Sequence, residues 1–214
     1  LNLYHQTVVG DNPERLADAL EIARRRADII ITTGGLGPTY DDLTKQTICK
    51  TFGRELELHQ DILDEISRWF ETKMGKKMPA NNIQQAMLPV NCTIFDNPVG
   101  TAPGCAFEEG GVHVLMLPGP TFECRYMFEN RAVPYLEKLT DGVIVSHEIR
   151  IFGMGESSVE EKLYEPMTKL TNPTLAPYAK PNEVMLRATA KAATAEAAEE
   201  LLQPLVAQVQ ETLG

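Results

Sequence analysis

Residues 32–42 read TTGGLGPTYDD, so three glycines and two aspartates fall within eleven positions. Gly34, Gly35 and Gly37 allow backbone conformations closed to other residues, and without side chains their N–H groups can approach a phosphate closely. The spacing is neither the G-x-x-x-x-G-K-[ST] loop nor the dinucleotide G-x-G-x-x-G fingerprint. The alternative for these glycines is a tight turn at the end of a strand. Asp41 and Asp42 point to more, because two carboxylates beside an anion nest repel the anion unless a cation stands between them. A Mg²⁺-like divalent ion, held by one or two carboxylates and bridging phosphate oxygens, satisfies both demands. One aspartate can also cap the following helix, a contribution of roughly 0.5–2 kcal/mol. Asp11, in VGDN, closes the preceding predicted strand. Sequential strands are often neighbours, so Asp11 either shares the ion or simply caps the helix that starts at Pro13.

These residues need elements that bring them together. LYHQTVVGDN reads as a strand, and DNPERLADALEIARRRAD as a helix with Asp11 or Asn12 as cap and Pro13 in its first turn. DIIITTGG is a short β-branched run of the kind buried in a parallel sheet. DDLTKQTICKTFG reads as a helix capped by an aspartate and stopped near Gly53, and HQDILDEISRWFETKMG as a longer amphipathic helix whose stripe, Ile62 to Phe70, packs in a core. The Pro-, Asn- and Gly-rich stretch from Met78 predicts strands joined by functional loops. HVLMLPGP repeats the pattern of an apolar strand breaking into Gly and Pro, with helical periodicity after it. Alternating strands and helices up to about Leu139 predict an α/β fold with a three-layer, mostly parallel sheet. Beyond a boundary near Thr140 to Gly142, SHEIRIFGMG and EVMLRATAKA read as strands, and ESSVEEKLYEPMTKL and the C-terminal TAEAAEELLQPLVAQVQETLG as helices. Residues 1–140 therefore form the main domain, and 141–214 a second, smaller α+β domain.

Composition narrows the function classes. With 20 Lys+Arg against 30 Asp+Glu, the net charge of −10 offers no long-range attraction to nucleic acid or to anionic membranes. No apolar run approaches the ~20 residues of a membrane span and no signal peptide leads the chain, which predicts a cytoplasmic protein. Cys49, Cys92, Cys105 and Cys124 lack zinc-ligand spacing and are expected to be reduced, mostly buried thiols. The chain begins with Leu at the start of an apparent strand, so further residues are expected upstream.

TTGGLGPTYDDLT, NPVGTAPG, and LPGP followed by Glu123 and YMF resemble, in that order, the N-terminal domain of the CinA (competence/damage-inducible protein A) family. That domain is related to the molybdopterin-binding domains of molybdenum-cofactor biosynthesis, and NPTLAPYAKPNEVMLRATAKA is similar to the KH-like small domain that follows it in the family. The family's opening strand and helix, with a Gly-Thr-Glu-type motif, are not in this sequence. Neither is the nicotinamide-mononucleotide deamidase half of longer members, so deamidation is not assigned.

The resemblance implies metal-dependent hydrolysis of ADP-ribose or related dinucleoside diphosphates to AMP and a sugar phosphate. It implies active-site roles for Asp11 and Asp42, both as metal ligands, with Asp41 beside them. It implies that Gly34, Gly35 and Gly37 hold phosphate, and that Asn97, Gly100, Thr101, Gly119 and Glu123 line the same crevice. It also implies a homodimer. Loop-internal hydrogen bonds are the alternative for Asn97 and Thr101, and a first-turn carboxylate complementing a helix dipole for Glu123. Lys180, on a predicted turn before a strand, either reaches a neighbouring phosphate or is a solvated loop lysine. FGMGES lacks the basic flanks of a G-x-x-G RNA-binding loop, so RNA binding is not expected. None of His5, His59, His113 and His147 has a visible catalytic partner. Two rival functions remain open: binding a pterin dithiolene in cofactor biosynthesis, and a non-catalytic nucleotide-binding module.

Overall fold

A computed structural model describes residues 2–140, 142–180 and 183–214. The chain divides into two compact units, Leu1–Glu137 and Lys138–Gly214.

The first unit is built on a four-stranded sheet. Strands β1 (Ile29–Thr33), β4 (Thr93–Phe95), β5 (Gly104–Glu109) and β6 (Val112–Leu117) lie in the order β1-β6-β5-β4. The sheet is mixed: β1 runs parallel to β6, whereas β5 is antiparallel to both β6 and β4. Alternate residues of β6 feed opposite faces, as the strand period requires. Val114 and Met116 join one core with Ile30, Ile48, Phe52 and Ile66, while Leu115 and Leu117 join another with Phe95, Met127 and Leu136. Both faces of the sheet are thus covered, which is why VLML is apolar throughout.

Helix α1 (Pro13–Arg24) starts where Asn12 accepts a hydrogen bond from the Arg15 N–H, 2.9 Å. Helix α2 (Thr44–Phe52) stops at left-handed Gly53. Strands β2 (Leu56–Leu58) and β3 (Met87–Pro89) form a two-stranded antiparallel sheet. Helix α3 (Gln60–Trp69) continues into a π-helical turn, Phe70–Met74, and a 3₁₀ helix spans Ala80–Ala86. Helices α4 (Thr121–Met127) and α5 (Val133–Glu137) flank a second π-helical turn.

Two expectations are corrected here. Residues 2–10 form no strand, and Leu3, Tyr4 and Val8 are exposed. Their aromatic and β-branched residues suit a strand, but no described strand pairs with them, and an unpaired strand leaves its backbone hydrogen bonds to water. No aspartate caps α2 either. Leu43 stands at its N-cap without a side-chain bond, because Asp42 is engaged one turn earlier with Thr39.

The second unit is a three-stranded antiparallel sheet in the order β7-β9-β8, made of β7 (Val143–Phe152), β8 (Thr174–Lys180) and β9 (Glu183–Ala192). Helices α6 (Glu156–Lys169) and α7 (Ala195–Leu213) enclose its core of Val159, Leu163, Leu186, Ala188, Leu202 and Leu205. Strand β8, which carries Pro177, was not expected from the sequence. It lies at the sheet edge, where a proline is tolerated. Lys180 accordingly ends a strand rather than sitting on a turn, and Pro181 and Asn182 of the expected turn lie outside the described residues, as do Leu1 and Asp141.

Candidate functional site

Parallel pairing of β1 with β6 places their following loops side by side. Thr33 is in register with Leu117, and the Gly34 N–H donates to the Leu117 carbonyl at 2.9 Å. The two loops pass so closely that a Cβ at Gly119 would stand 3.3 Å from the Gly34 Cα. Gly35 takes a positive φ of 66°, and a Cβ there would meet the Thr44 Oγ1 at 2.0 Å. Its carbonyl accepts from the Thr44 N–H at 3.2 Å, which ties the loop to the first turn of α2. Among the described residues, the N–H groups of Gly35, Leu36 and Gly37 donate to no acceptor. Three successive amides without an acceptor leave backbone donors for an anion.

Asp42 folds back over this loop. Its Oδ2 accepts from the Thr39 N–H at 2.9 Å and from the Thr39 hydroxyl, and it would lie 2.5 Å from a Cβ at Gly37. The glycine therefore leaves the room that the carboxylate fills. Asp41 beside it is exposed, and its carboxyl is held below the usual range, chiefly by the neighbouring Thr39 side chain and then by its own backbone amide.

The 3₁₀ helix Ala80–Ala86 buttresses the loop from the other side. Gln84 Nε2 donates to the Asp42 carbonyl at 3.0 Å and to the Gly37 carbonyl at 3.4 Å, and Asn81 Nδ2 donates to the Pro38 carbonyl at 3.1 Å. Lys45, only 1% exposed, donates from Nζ to the Gln84 and Gln85 carbonyls at 2.8 and 3.1 Å. Burial lowers its ammonium pKa to about 8, against weaker opposing effects from nearby thiols and Asp42. Gln85 then reaches Thr101 Oγ1 at 3.2 Å and accepts from Asn82 Nδ2 at 2.7 Å.

The loop 96–101 is anchored at its start by a two-pronged ion pair between Asp96 and Arg131, one contact being 2.9 Å. The guanidinium holds the Asp96 carboxyl below its ordinary range. Asn97 Nδ2 donates to Glu123 Oε2 at 2.6 Å and to the Ala102 carbonyl at 2.9 Å, while its Oδ1 is buried without a partner. A Cβ at Gly100 would stand 2.0 Å from Glu123 Oε2, so the carboxylate rests directly on the backbone. A cleft of about 500 Å³ opens here, bordered by Pro38, Asn82, Gly100, Thr101, Glu123 and a group of aromatic side chains.

The structure thus brings Gly34 against Gly119, Asp42 against Gly37, and Asn97 and Gly100 against Glu123, with Thr101 joined through Gln85 to the 3₁₀ helix. Asp11 lies on an exposed bend before α1. It does not complete a three-carboxylate cluster with Asp41 and Asp42, since no set of three or more His, Cys, Asp or Glu gathers as metal ligands among the described residues. Lys180 belongs to the second unit. A divalent ion fits the remaining donors only in the Mg²⁺ manner, with one or two carboxylates and the rest of its shell from substrate oxygens and water. Asp41, and Asp42 through the Oδ1 that Thr39 leaves unbonded, are the carboxylates that could serve.

Lys45, Asn81, Asn82, Gln84 and Gln85 were not anticipated. Lys45 carried a signal: it stands three, four and seven residues before Ile48, Cys49 and Phe52, on the apolar stripe of α2, where a lysine has to be buried.

The family described as a probable molybdopterin binding domain matches residues 1–138, and the damage-inducible protein CinA KH domain matches residues 146–214. The chain belongs to the CinA family. It is 49% identical over 215 residues to a putative competence-damage inducible protein of Clostridium kluyveri, covering 100% of this chain and 52% of that protein. It is 50% identical over 212 residues to one of Clostridium acetobutylicum, covering 99% and 51%. The chain spans about half the length of these curated relatives. Among solved structures, the protein CinA with unknown function from Thermoplasma acidophilum superposes with a TM-score of 0.51 at 31% identity, over 58% of this chain and 72% of that one. No helix among the described residues is long and apolar enough to cross a membrane.

Proposed function

We propose that the first unit hydrolyses the diphosphate of ADP-ribose, or of a closely related nucleoside diphosphate sugar, to AMP and ribose 5-phosphate. The observation that carries this reading is the run of unspent amides at Gly35, Leu36 and Gly37 beside Asp41 and Asp42. Amides and carboxylates on one rim suit a phosphorylated ligand that arrives with a divalent ion, and membership of the CinA family supports the choice of substrate.

In this reading the three amides bind the phosphoryl oxygens and stabilise the charge that grows on them during displacement. Thr39 locks the Asp42 carboxylate through Oδ2 and leaves Oδ1 for the ion, while Gln84 and Lys45 fix the backbone that carries both. Asp41 orients a water whose oxygen bonds to phosphorus as the bridging P–O bond breaks, and it relays the released proton to solvent. When bound, the ion screens phosphoryl charge and makes its water more acidic. Asp11 is a further acidic group at the rim only if ligand binding draws it in, which the Asp11→Ala variant decides.

Release of AMP from ADP-ribose, measured by chromatography with Mg²⁺ present, tests the proposal. Activity is expected to fall at least about a hundredfold in Asp42→Ala, the scale of losing one electrostatic contact to a transition state. Undiminished activity in that variant would remove Asp42 from the chemistry. The match to a molybdopterin-binding family favours one second reading, binding of a pterin dithiolene. Tight pterin binding without ADP-ribose turnover would select it.

A further inference from the structure

We propose that the second unit pairs with its counterpart in a second copy of this chain along the free edge of β7, joining two three-stranded sheets into one of six strands. This association is independent of the proposed reaction and uses none of its residues.

Strands β7 and β8 are the two edges of the sheet, and they are built differently. β8 has seven residues, carries Pro177 and ends in Lys180, and both residue types keep a sheet edge from pairing with other chains. β7 has ten residues, VIVSHEIRIF, without proline, glycine or lysine. It keeps an unbroken register with β9 from Val143 to Phe152, so no bulge bends it away. No described strand pairs with its other edge. A long, regular edge of this kind is a template for another strand.

Lys191 shows which backbone groups lie on that edge. It gives its N–H to Asn172 Oδ1, and its carbonyl accepts from Asn172 Nδ2, both at 2.8 Å. Asn172 precedes β8, so Lys191 turns its backbone groups away from β7. Its register partner Ile144 therefore points its own N–H and carbonyl out of the sheet, and by alternation so do Ser146, Glu148, Arg150 and Phe152.

The side chains name the occupant. Arg150 is exposed and has no ion-pair or hydrogen-bond partner among the described residues. Glu148, two positions away on the same sheet face, meets Arg187 at 3.2 Å. An antiparallel twofold pairing of β7 with itself, centred on Ile149, sets Glu148 of each copy opposite Arg150 of the other. On the face that carries the helices it sets Ile149 opposite Ile149 and His147 opposite Ile151. Val145, Ile149 and Ile151 are only partly buried in a single copy, and the second copy continues the core they border. Other registers fit worse. A slip of one residue puts helix-facing side chains opposite outward-facing ones. Centring on Glu148 opposes two like carboxylates, and centring on His147 leaves Arg150 opposite Ile144. In the Ile149-centred register Ser146, Glu148, Arg150 and Phe152 exchange about eight backbone hydrogen bonds with their counterparts.

The test combines amide hydrogen exchange, read on the peptide covering β7, with sedimentation equilibrium of the 214-residue chain. Alternate β7 amides bond to β9 and are protected in any folded state, whereas the outward ones are protected only in the assembly. Protection of β7 should therefore rise with chain concentration, as the mass moves toward twice that of one chain. Arg150→Glu brings like charges together at both cross-strand pairs and should weaken association by about 10- to 100-fold, exposing the outward amides. Glu148→Arg should do the same. The chain carrying both Glu148→Arg and Arg150→Glu should recover protection and mass, since the opposed charges are again of opposite sign. Because Arg150 is exposed and unpartnered, Arg150→Glu should melt like the dissociated parent, which separates lost pairing from lost folding. Loss of β7 protection in the single reversals and its recovery in the combined chain support the pairing even where another contact holds the mass constant. Protection that ignores both concentration and all three variants, outward amides that exchange freely in the parent, or a combined chain as weakly associated as the single reversals would overturn it.

Discussion

Lys45 gives the sharpest physical test of how the site is held. Its ammonium is buried with two backbone carbonyls as its hydrogen-bond acceptors, and burial lowers its pKa from 10.5 to about 8. A lysine that binds its proton more weakly when folded makes the folded state relatively more stable as pH rises, because the unfolded chain then holds more protons. The window lies between the two values, from about pH 8 to the unfolded lysine value near 10.5. Integrating the proton difference from roughly pH 7.5 to 10 gives a gain of about 2 kcal/mol for this one residue. The neutral amine keeps two N–H groups, enough for both carbonyls, so the contacts survive deprotonation. Other lysines and tyrosines titrate in the same range, so the comparison is with Lys45→Met, which fills similar volume and does not titrate. Urea unfolding followed by Trp69 fluorescence reports on the first unit, which contains it. The parent-minus-variant stability should rise by about 2 kcal/mol between these two pH values. A difference that stays flat, or falls, would show that Lys45 is not the desolvated cation described here.

Two further perturbations probe the loop 96–101. Gly100→Ala puts a methyl group 2.0 Å from Glu123 Oε2 and must swing that flexible carboxylate off Asn97; a thermal melt close to the parent's should accompany a fall in ADP-ribose turnover of about 10- to 100-fold, the cost of a small misplacement at a reacting centre. Wild-type turnover in Gly100→Ala would take Glu123 out of the site. Arg131→Met removes the partner that keeps Asp96 ionised. Because the folded Asp96 pKa is depressed, the ion pair's stabilisation is present above the unfolded value near 4 and is lost as pH falls through the folded one. About half of the Asp96 side chain is exposed, so the stability difference at neutral pH should be at most about 1 kcal/mol and should shrink as the pH falls below about 4. A difference that grows on acidification would contradict the assignment.

The glycine loop was legible in the sequence because everything that shapes it lies within eleven residues, from Thr32 to Asp42. The closeness of the LPGP loop also followed from the pattern, since two apolar strands that both end in glycine and proline present their loops at one sheet edge. The buttress was less accessible. Lys45 meets Gln84 across 39 positions and Asn97 meets Glu123 across 26, and no local periodicity encodes such pairs. One of the two aspartates was expected to cap α2, and the structure withdraws that cap: Leu43 stands at the N-cap, and the Thr39 N–H and hydroxyl occupy the Asp42 Oδ2. The opening segment shows the opposite limit. LYHQTVV has the composition of a strand, but a strand exists only with a neighbour to share its hydrogen bonds, and the sequence pattern carries no information on whether that neighbour is there.

The central claim, that amides at Gly35 to Gly37 and the carboxylates of Asp41 and Asp42 act together on a diphosphate, is tested most directly by product analysis. The chain is incubated with ADP-ribose and Mg²⁺, and AMP and ribose 5-phosphate are quantified with and without a chelator, for the parent and for Asp42→Ala. Equal amounts of the two products from the parent, suppressed by the chelator and by the substitution, are the predicted result. Intact ADP-ribose after prolonged incubation of the parent, or products that appear as readily from Asp42→Ala, would contradict it.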